Sequence, residues 1–313
     1  MKAAAIVVNH NGGDDLSRCL AALAAQTVPV AVTLVDCAST DGSRALAQCP
    51  PAGVVGLPLA ANLGYAGGCN AGLAAAGGAE AVGFFNPDCF PEPGFFAAAL
   101  SAFAADAGLA GVAARLVRAD GETLDSCGQV LSPWLLMVCD RGYGEAAAGA
   151  YAAPARVLAA CGAGMVYRRA ALDAVAVDGE AFPSEYFAFW EDLDLGWRVS
   201  NAGWRVAYEP TAVAVHRRGA TAAPGGGRLI FRRAPALAAG ILVNRWATLA
   251  RNLHLLDFLL RLPVLLPADT LMTLLVLARR PAVLPALVRA LPRVQRAWRQ
   301  RRSLPRRRLR KLA

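Results

Sequence analysis

Ala81-Val82-Gly83-Phe84-Phe85-Asn86-Pro87-Asp88 is the stretch that decides the fold: five apolar residues run straight into a polar turn carrying a carboxylate. An apolar run this short, closed by turn residues, predicts a strand buried on both faces. The same arrangement recurs upstream. Residues 3–8 run into Asn9-His10-Asn11-Gly12, and residues 30–35 into Asp36-Cys37-Ala38-Ser39-Thr40-Asp41-Gly42. Between these strands, residues 14–26 place Leu16, Cys19, Leu20 and Leu23 at helical spacing, with Asp14 and Asp15 in the first turn. Residues 43–48 and 70–76 predict further helices, and residues 53–58 a third strand. Strands alternating with helices indicate an α/β domain with a mainly parallel sheet. Such sheets bind ligands beyond the carboxyl ends of their strands, which is where Asn9, His10, Asn11, Asp36 and Asp88 fall.

Further along, residues 111–130 alternate strands and turns, with Asp120-Gly121 as a hairpin turn. Residues 131–160, rich in Gly and Ala and carrying Trp134 and Tyr143, predict a loop over the site. Residues 182–215 form a second ordered half. Gly225-Gly226-Gly227 marks a boundary, after which the chain becomes helical and basic. This gives a domain over 1–225, in halves 1–110 and 111–225, and an extension over 226–313.

The chain has 313 residues and a net charge of +9, but the charge is unevenly placed. Thirteen Arg or Lys follow Asp269 and no acid does, which leaves nineteen bases against all 23 acids in residues 1–269. The basic character therefore belongs to the tail. Eight scattered cysteines, with no C-x-x-C pair, argue against a disulfide framework or a zinc site and for a reducing cytoplasm. The apolar run at the N-terminus is too short for the core of a signal peptide and reads as a first strand.

Five constellations carry chemistry. Asp88, just past a buried strand, suits Mg2+ or Mn2+ whose other positions take diphosphate oxygens, although an Asn-Pro-Asp turn is also common. Asp36 taken alone reads better as a turn cap than as a ligand contact. Asn62-Leu63-Gly64-Tyr65-Ala66-Gly67-Gly68-Cys69-Asn70 lets a backbone approach a ligand, yet lacks the G-x-G-x-x-G order of a dinucleotide site. Phe187-Ala188-Phe189-Trp190-Glu191-Asp192-Leu193-Asp194-Leu195-Gly196-Trp197-Arg198 packs three acids among aromatics at the start of a helix. There the dipole is expected to hold Glu191 and Asp192 ionised. Asp194 and Arg198 lie four apart and read as a structural pair, whereas Phe187, Phe189 and Trp190 would wall a pocket suited to a sugar ring. Finally, His216 ends a strand-like run, 24 residues after Asp192.

Taken together, these segments resemble family-2 glycosyltransferases with the GT-A fold, most closely the bacterial rhamnosyltransferase-type enzymes of cell-wall, O-antigen and exopolysaccharide assembly. The resemblance runs over residues 3–220 and includes Gly162-Ala163-Gly164-Met165-Val166-Tyr167-Arg168. It implies inverting transfer from a nucleotide sugar (a dTDP- or UDP-sugar, dTDP-rhamnose first) onto a glycan or polyprenyl-linked acceptor. Asp192 takes the place of the catalytic base, and Glu191, Phe189 and Trp190 line the acceptor or sugar pocket. Asn9, His10, Asn11, Asp36, Asn62 and Asn86 form the donor nucleotide site. Asp88 matches the last acid of a D-x-D metal motif whose first acid is here Asn86, and His216 matches a histidine completing the shell around Mg2+ or Mn2+. Two further readings stay open: transfer onto a polyprenyl phosphate, and a non-catalytic subunit binding nucleotide sugars or glycans.

In the tail, residues 262–278 are apolar but interrupted by Pro263, Pro267 and Asp269, short of the roughly 20 apolar residues of a span. Interfacial helices with arginines on anionic headgroups are expected, placing the chain peripherally at the inner face of the cell membrane. Nothing in the tail has the aromatic interleaving or helix-turn-helix pattern of a nucleic-acid binder.

Overall fold

The computed structural model describes residues 1–149, 151–218 and 229–309. The first half alternates as read: β1 (Ala3–Asn9), α1 (Gly13–Ala24), β2 (Val30–Asp36), α2 (Arg44–Gln48), β3 (Val54–Pro58), α3 (Gly64–Ala75) and β4 (Ala81–Phe85). β5 (Cys89–Pro91), α4 (Phe95–Ala105), β6 (Leu109–Val117), β7 (Leu124–Ser126), β8 (Gln129–Leu131), β9 (Val138–Asp140) and β10 (Ala155–Val157) follow. The second half ends with β11 (Gly164–Arg168), α5 (Arg169–Ala174), α6 (Glu191–Asn201) and β12 (Arg205–His216). The tail holds α7 (Leu229–Arg232), α8 (Pro235–Asn252), α9 (Leu255–Arg279), α10 (Leu284–Ala290) and α11 (Pro292–Gln300).

The central sheet runs β10-β12-β6-β11-β4-β1-β2-β3. β3, β2, β1 and β4 are parallel, β11 is inserted antiparallel between β4 and β6, and β6 pairs parallel with β12. The carboxyl ends of β1, β2, β4, β6 and β12 therefore share one edge. All seven residues of β1 are buried because helices cover both of its faces. Ala3, Ala5 and Val7 pack with Leu16, Cys19 and Leu20 of α1, while Ala4, Ile6 and Val8 pack with Cys69 and Leu73 of α3. That is the strand period of two, used to seat a different helix on each side.

Two expectations are corrected. The helix expected over 70–76 begins earlier, so that the glycine segment 64–69 forms the first turns of α3. Its glycines serve packing, since a Cβ on Gly68 would lie 2.4 Å from Val8 Cγ1 and one on Gly72 2.3 Å from Ile6 Cγ2. Nor do Pro263 and Pro267 interrupt the tail, because both lie inside the single 25-residue helix α9. They are four apart and exposed, so the carbonyls that lose their N–H partners face solvent rather than the core. α9 is long and apolar enough to cross a membrane by length and composition, with an 18-residue stretch of mean hydropathy 1.7. The glycine boundary expected at 225–227 lies outside the described residues.

The tail is docked on α6 by a buried polar network. Asp194 accepts from Arg198 Nε (2.8 Å), Arg251 Nη1 (2.7 Å) and Asn252 Nδ2 (2.8 Å). Arg251 also reaches the Tyr186 hydroxyl (2.9 Å) and Gln300 Oε1 (2.7 Å). The Asp194–Arg198 pair is structural, as its spacing suggested, and it extends to two tail helices.

Candidate active site

At the end of β1, Asn9 is the hub of one wall. Its Nδ2 donates to Asp36 Oδ1 (3.0 Å), Ser39 Oγ (3.0 Å) and Ser43 Oγ (2.8 Å), and its Oδ1 accepts from Gly12 N (3.1 Å). Asp36 is fully buried, with Oδ2 taking Ser39 N (3.0 Å) and Arg44 (3.3 Å). It braces the loop from beneath rather than facing solvent. His10 is exposed and donates from Nδ1 to Cys37 O (2.8 Å). Asn11 (φ 58°) and Ala38 (φ 54°) hold left-handed conformations that cost a non-glycine residue roughly 1–3 kcal/mol. Strain of this kind concentrates at ligand sites. Asn62 is exposed, its Oδ1 accepting from Gly64 N (2.8 Å).

A second wall forms where β5 meets the end of β12, with Cys89 opposite His216. His216 Nε2 lies 3.4 Å from Asp88 Oδ1, and Nδ1 donates to Asp125 Oδ2 at 2.7 Å. Asp125, on β7, is fully buried and also binds Arg218. Burial alone would lower the His216 pKa, but the hydrogen bonds and charges of Asp125 and Asp88 outweigh it and raise the pKa to about 9. In Asp125, burial works against ionisation; the His216 bond and the Arg218 charge overcome it and leave the carboxyl below its ordinary value. Among the described residues no three His, Cys, Asp or Glu side chains group to hold a metal ion. Asp88 and His216 supply a carboxylate and an imidazole, a donor pair compatible with a divalent ion whose remaining positions go to phosphate and water oxygens. The bond to Asp125 fixes His216 so that Nε2 faces Asp88, the usual arrangement behind a ligating histidine.

The third wall is the start of α6. Asp192 Oδ2 accepts from Gln129 Nε2 (2.9 Å) and Gly162 N (2.8 Å), and Oδ1 from Leu193 N (2.8 Å). Burial raises its pKa, partly offset by those donors. Gly162 is itself held, since its carbonyl accepts the Tyr65 hydroxyl of α3. Next to it, the Ala163 carbonyl accepts Asn86 N (3.1 Å). The backbone therefore links Asp192, through residues 162–163, to the turn that carries Asn86 and Asp88.

Glu191 departs from expectation. Burial, then the neighbouring Asp192, pushes its carboxyl well above the ordinary range, and Oε2 is buried without a hydrogen-bond partner. The shift runs opposite to the one the helix dipole favours, because desolvation outweighs a terminal effect of at most about 2 kcal/mol. Asp192 is raised too.

Phe187 (φ 62°), Phe189 (φ 71°) and Trp190 (φ 76°) are all left-handed immediately before the acids. The tail keeps this run in place: Asn244 Nδ2 donates to the carbonyls of Tyr186 (2.9 Å), Ala188 (3.2 Å) and Phe189 (3.0 Å). Phe189 is half-buried, whereas Trp190 is buried among Leu193 and Trp197 with Arg245 over its ring at 5.7 Å. On the other side, the Phe187 carbonyl accepts Ala66 N (3.1 Å), and a Cβ on Gly64 (φ +68°) would sit 2.3 Å from that carbonyl oxygen. Gly64→Ala is expected to lower stability by about 1–3 kcal/mol, read by urea unfolding, because both the dihedral and the contact are backbone-determined. An unchanged midpoint would show that residues 187–190 move aside freely.

The sequence alone does not single out Asp125, Gln129, Arg218 and Asn244, and Gly162 enters there only within the segment 162–168. A lone acid within the short strand Leu124-Asp125-Ser126 was the one available signal; an isolated Gln, Arg or Asn carries none.

The sequence profile described as "Glycosyltransferase like family 2" matches residues 2–232. N-acetylglucosaminyl-diphospho-decaprenol L-rhamnosyltransferase of Mycobacterium tuberculosis is 32% identical over 239 residues, 68% of this chain and 75% of the relative. The structure of S. aureus TarS 1-349 in complex with UDP is 16% identical with a TM-score of 0.51, covering 97% of this chain and 92% of that one. The structure of GalNAc-T7 with UDP, GalNAc and Mn2+ is 12% identical with a TM-score of 0.58. It covers 80% of this chain, which spans 48% of that longer protein. At these identities the two structures speak for the GT-A fold.

Proposed function

The chain belongs to glycosyltransferase family 2, and from that premise we propose that it moves a sugar, with inversion, from a nucleoside diphosphate onto a hydroxyl of a lipid-linked glycan at the membrane. The sugar we put first is rhamnose from dTDP-rhamnose. The relative from M. tuberculosis is named for L-rhamnosyl transfer onto a diphospho-decaprenol-linked sugar, which supports both choices.

The observation that carries the reading is the way Asp192 is held. Gln129 and Gly162 occupy Oδ2 and Leu193 takes one lone pair of Oδ1, which leaves Oδ1 one site for an acceptor hydroxyl. The acceptor oxygen attacks the anomeric carbon from the face opposite the diphosphate. Its proton goes to Asp192, and the electron pair of the broken C–O bond leaves with the nucleoside diphosphate. A divalent ion, when bound, offsets the charge building on that leaving group. Asp88 and His216 are the groups that would hold it. The nucleoside would rest on Asn9-His10-Asn11 and Asn62, braced from below by Asp36, with Asn86 at ribose or phosphate.

The test is a panel of nucleotide sugars, dTDP-rhamnose first, assayed for nucleoside diphosphate release with Mg2+ or Mn2+ and a prenyl-diphosphate-linked glycan. No release from any donor would remove the reading. Asp88→Ala is expected to weaken metal-dependent donor binding at least tenfold by titration calorimetry. Equal donor affinity with and without Mn2+ in the wild type would take Asp88 out of that role.

Membrane attachment is proposed through the tail. α9 exposes Leu256 (53%), Leu260 (56%) and Leu271 (59%), and the arginines that follow Asp269 would meet anionic headgroups.

A further inference from the structure

Between α8, α9 and α11 lies an open cavity of about 580 Å³, within the size range of small-molecule pockets. Trp246, Leu249, Leu253, Phe258, Leu265 and Trp298 line it. Its charged groups and Thr273 are turned to protein partners. Asp269 is ion-paired with Arg245 at 3.0 Å, Thr273 Oγ1 donates to the Asp269 carbonyl (2.7 Å), and Arg301 donates to the carbonyls of Ala250 (3.0 Å) and Leu253 (2.7 Å). A ligand here would meet hydrocarbon. Leu266 and Leu274, also on the wall, remain 61% and 58% exposed, a loss of burial that soluble surfaces ordinarily avoid over a continuous patch.

We propose that this groove holds the prenyl chain of the lipid-linked acceptor. The inference rests on the acceptor class proposed above and adds where its lipid goes. Two features favour a prenyl chain over a protein partner. Leu249, Leu253 and Leu265 of the groove wall pack in the same cluster as Trp190, Leu193 and Trp197, the apolar side of the helix that carries Asp192. A chain lying there is one layer of side chains from the base helix. The charge is also complementary: Arg301, on the wall, is ion-paired with no carboxylate among the described residues, whereas the single carboxylate of the wall, Asp269, is neutralised by Arg245. A diphosphate joined to an apolar chain matches that combination.

Trp246 and Trp298 supply the readout. Geranylgeranyl diphosphate, added to the full-length protein below its micellar concentration, is expected to shift tryptophan emission saturably, and inorganic pyrophosphate is not. Leu274→Glu, at an exposed wall position, should weaken the response at least tenfold with the unfolding midpoint unchanged. Ala250→Phe, which fills the groove, should do the same. A pyrophosphate response equal to that of the prenyl compound would overturn the proposal, as would a prenyl response untouched by both variants. Equal shifts with phosphatidylglycerol vesicles free of prenyl lipid would make the groove a bilayer-docking face. A concentration-dependent dimer abolished by Leu274→Glu would make it a contact between copies. The two readings fail separately. Prenyl binding without turnover of any nucleotide sugar leaves the groove standing and removes the glycosyl transfer. Equal turnover of prenyl-linked and lipid-free acceptors does the reverse.

Discussion

Asp192→Asn is expected to lower turnover by about 10²–10⁴-fold, the usual contribution of a positioned general base, with donor affinity within about twofold of wild type. The substitution is nearly isosteric. With its carbonyl at the Oδ2 position, Asn keeps the bonds from Gln129 and Gly162; its NH2 then meets the Leu193 N–H, a single local donor conflict. The lost element is the basic oxygen. The pH profile supplies a second readout. Burial raises the pKa of Asp192, and a base works only when ionised, so the acid limb of kcat/KM should lie above the ordinary Asp range near 3.9. Gln129→Leu removes a donor that favours the charged carboxylate. It should move that limb to higher pH and slow the enzyme most at low pH, with recovery toward wild type on the alkaline side. Wild-type turnover in Asp192→Asn would end the base assignment. An unmoved acid limb in Gln129→Leu would end the positioning role of Gln129.

What could be read from sequence follows from where information is local. The positions of Asn9, Asp36 and Asp88 are legible because each follows an apolar run, and strand ends at one sheet edge are set by βαβ topology alone. The glycines of 64–72 are only half legible, because glycine permits both a ligand's approach and a helix's approach, and the sequence does not say which. Here Val8 and Ile6 are what come close. Pro263 and Pro267 looked like breaks, yet two prolines four apart spoil only one face of a helix, and that face is exposed. The electrostatics of Glu191 were out of reach for another reason. Its ionisation depends on burial created by residues distant in sequence, not on its place in the helix. Asp125 and Gln129 act only because β7 and β8 bring them beside His216 and Asp192, 91 and 63 positions away.

The same motif holds a second acid whose removal should act on stability rather than rate. Asp194→Ala is expected to cost about 3–5 kcal/mol, the range seen when one partner of a buried ion pair is deleted. Asp194, Arg198 and Arg251 have fully buried side chains, and deletion would leave two guanidiniums there without their shared carboxylate. Burial opposes ionisation of Asp194, but Arg251 and then Arg198 overcome it and hold the pKa below its ordinary value. The sign of the linkage follows. A folded-state pKa below the unfolded value near 3.9 contributes stability in full above that value, and the contribution is lost as pH falls through the folded pKa. Wild-type stability should therefore decline at acid pH with a component that Asp194→Ala lacks. Urea unfolding at pH 7 and at about pH 2.5, well below the unfolded value, reads both effects, and a loss under about 1 kcal/mol at pH 7 would show that the arginines find other partners. Because Arg251 and Asn252 belong to the tail, the damage should spread: Asn244, on the same helix α8, holds the left-handed run before Asp192. Asp194→Ala should then lose activity as it loses stability, with the shape of its pH–rate profile unchanged, whereas Asp192→Asn loses activity with its unfolding midpoint kept. Two acids two residues apart are thereby separated by which measurement moves.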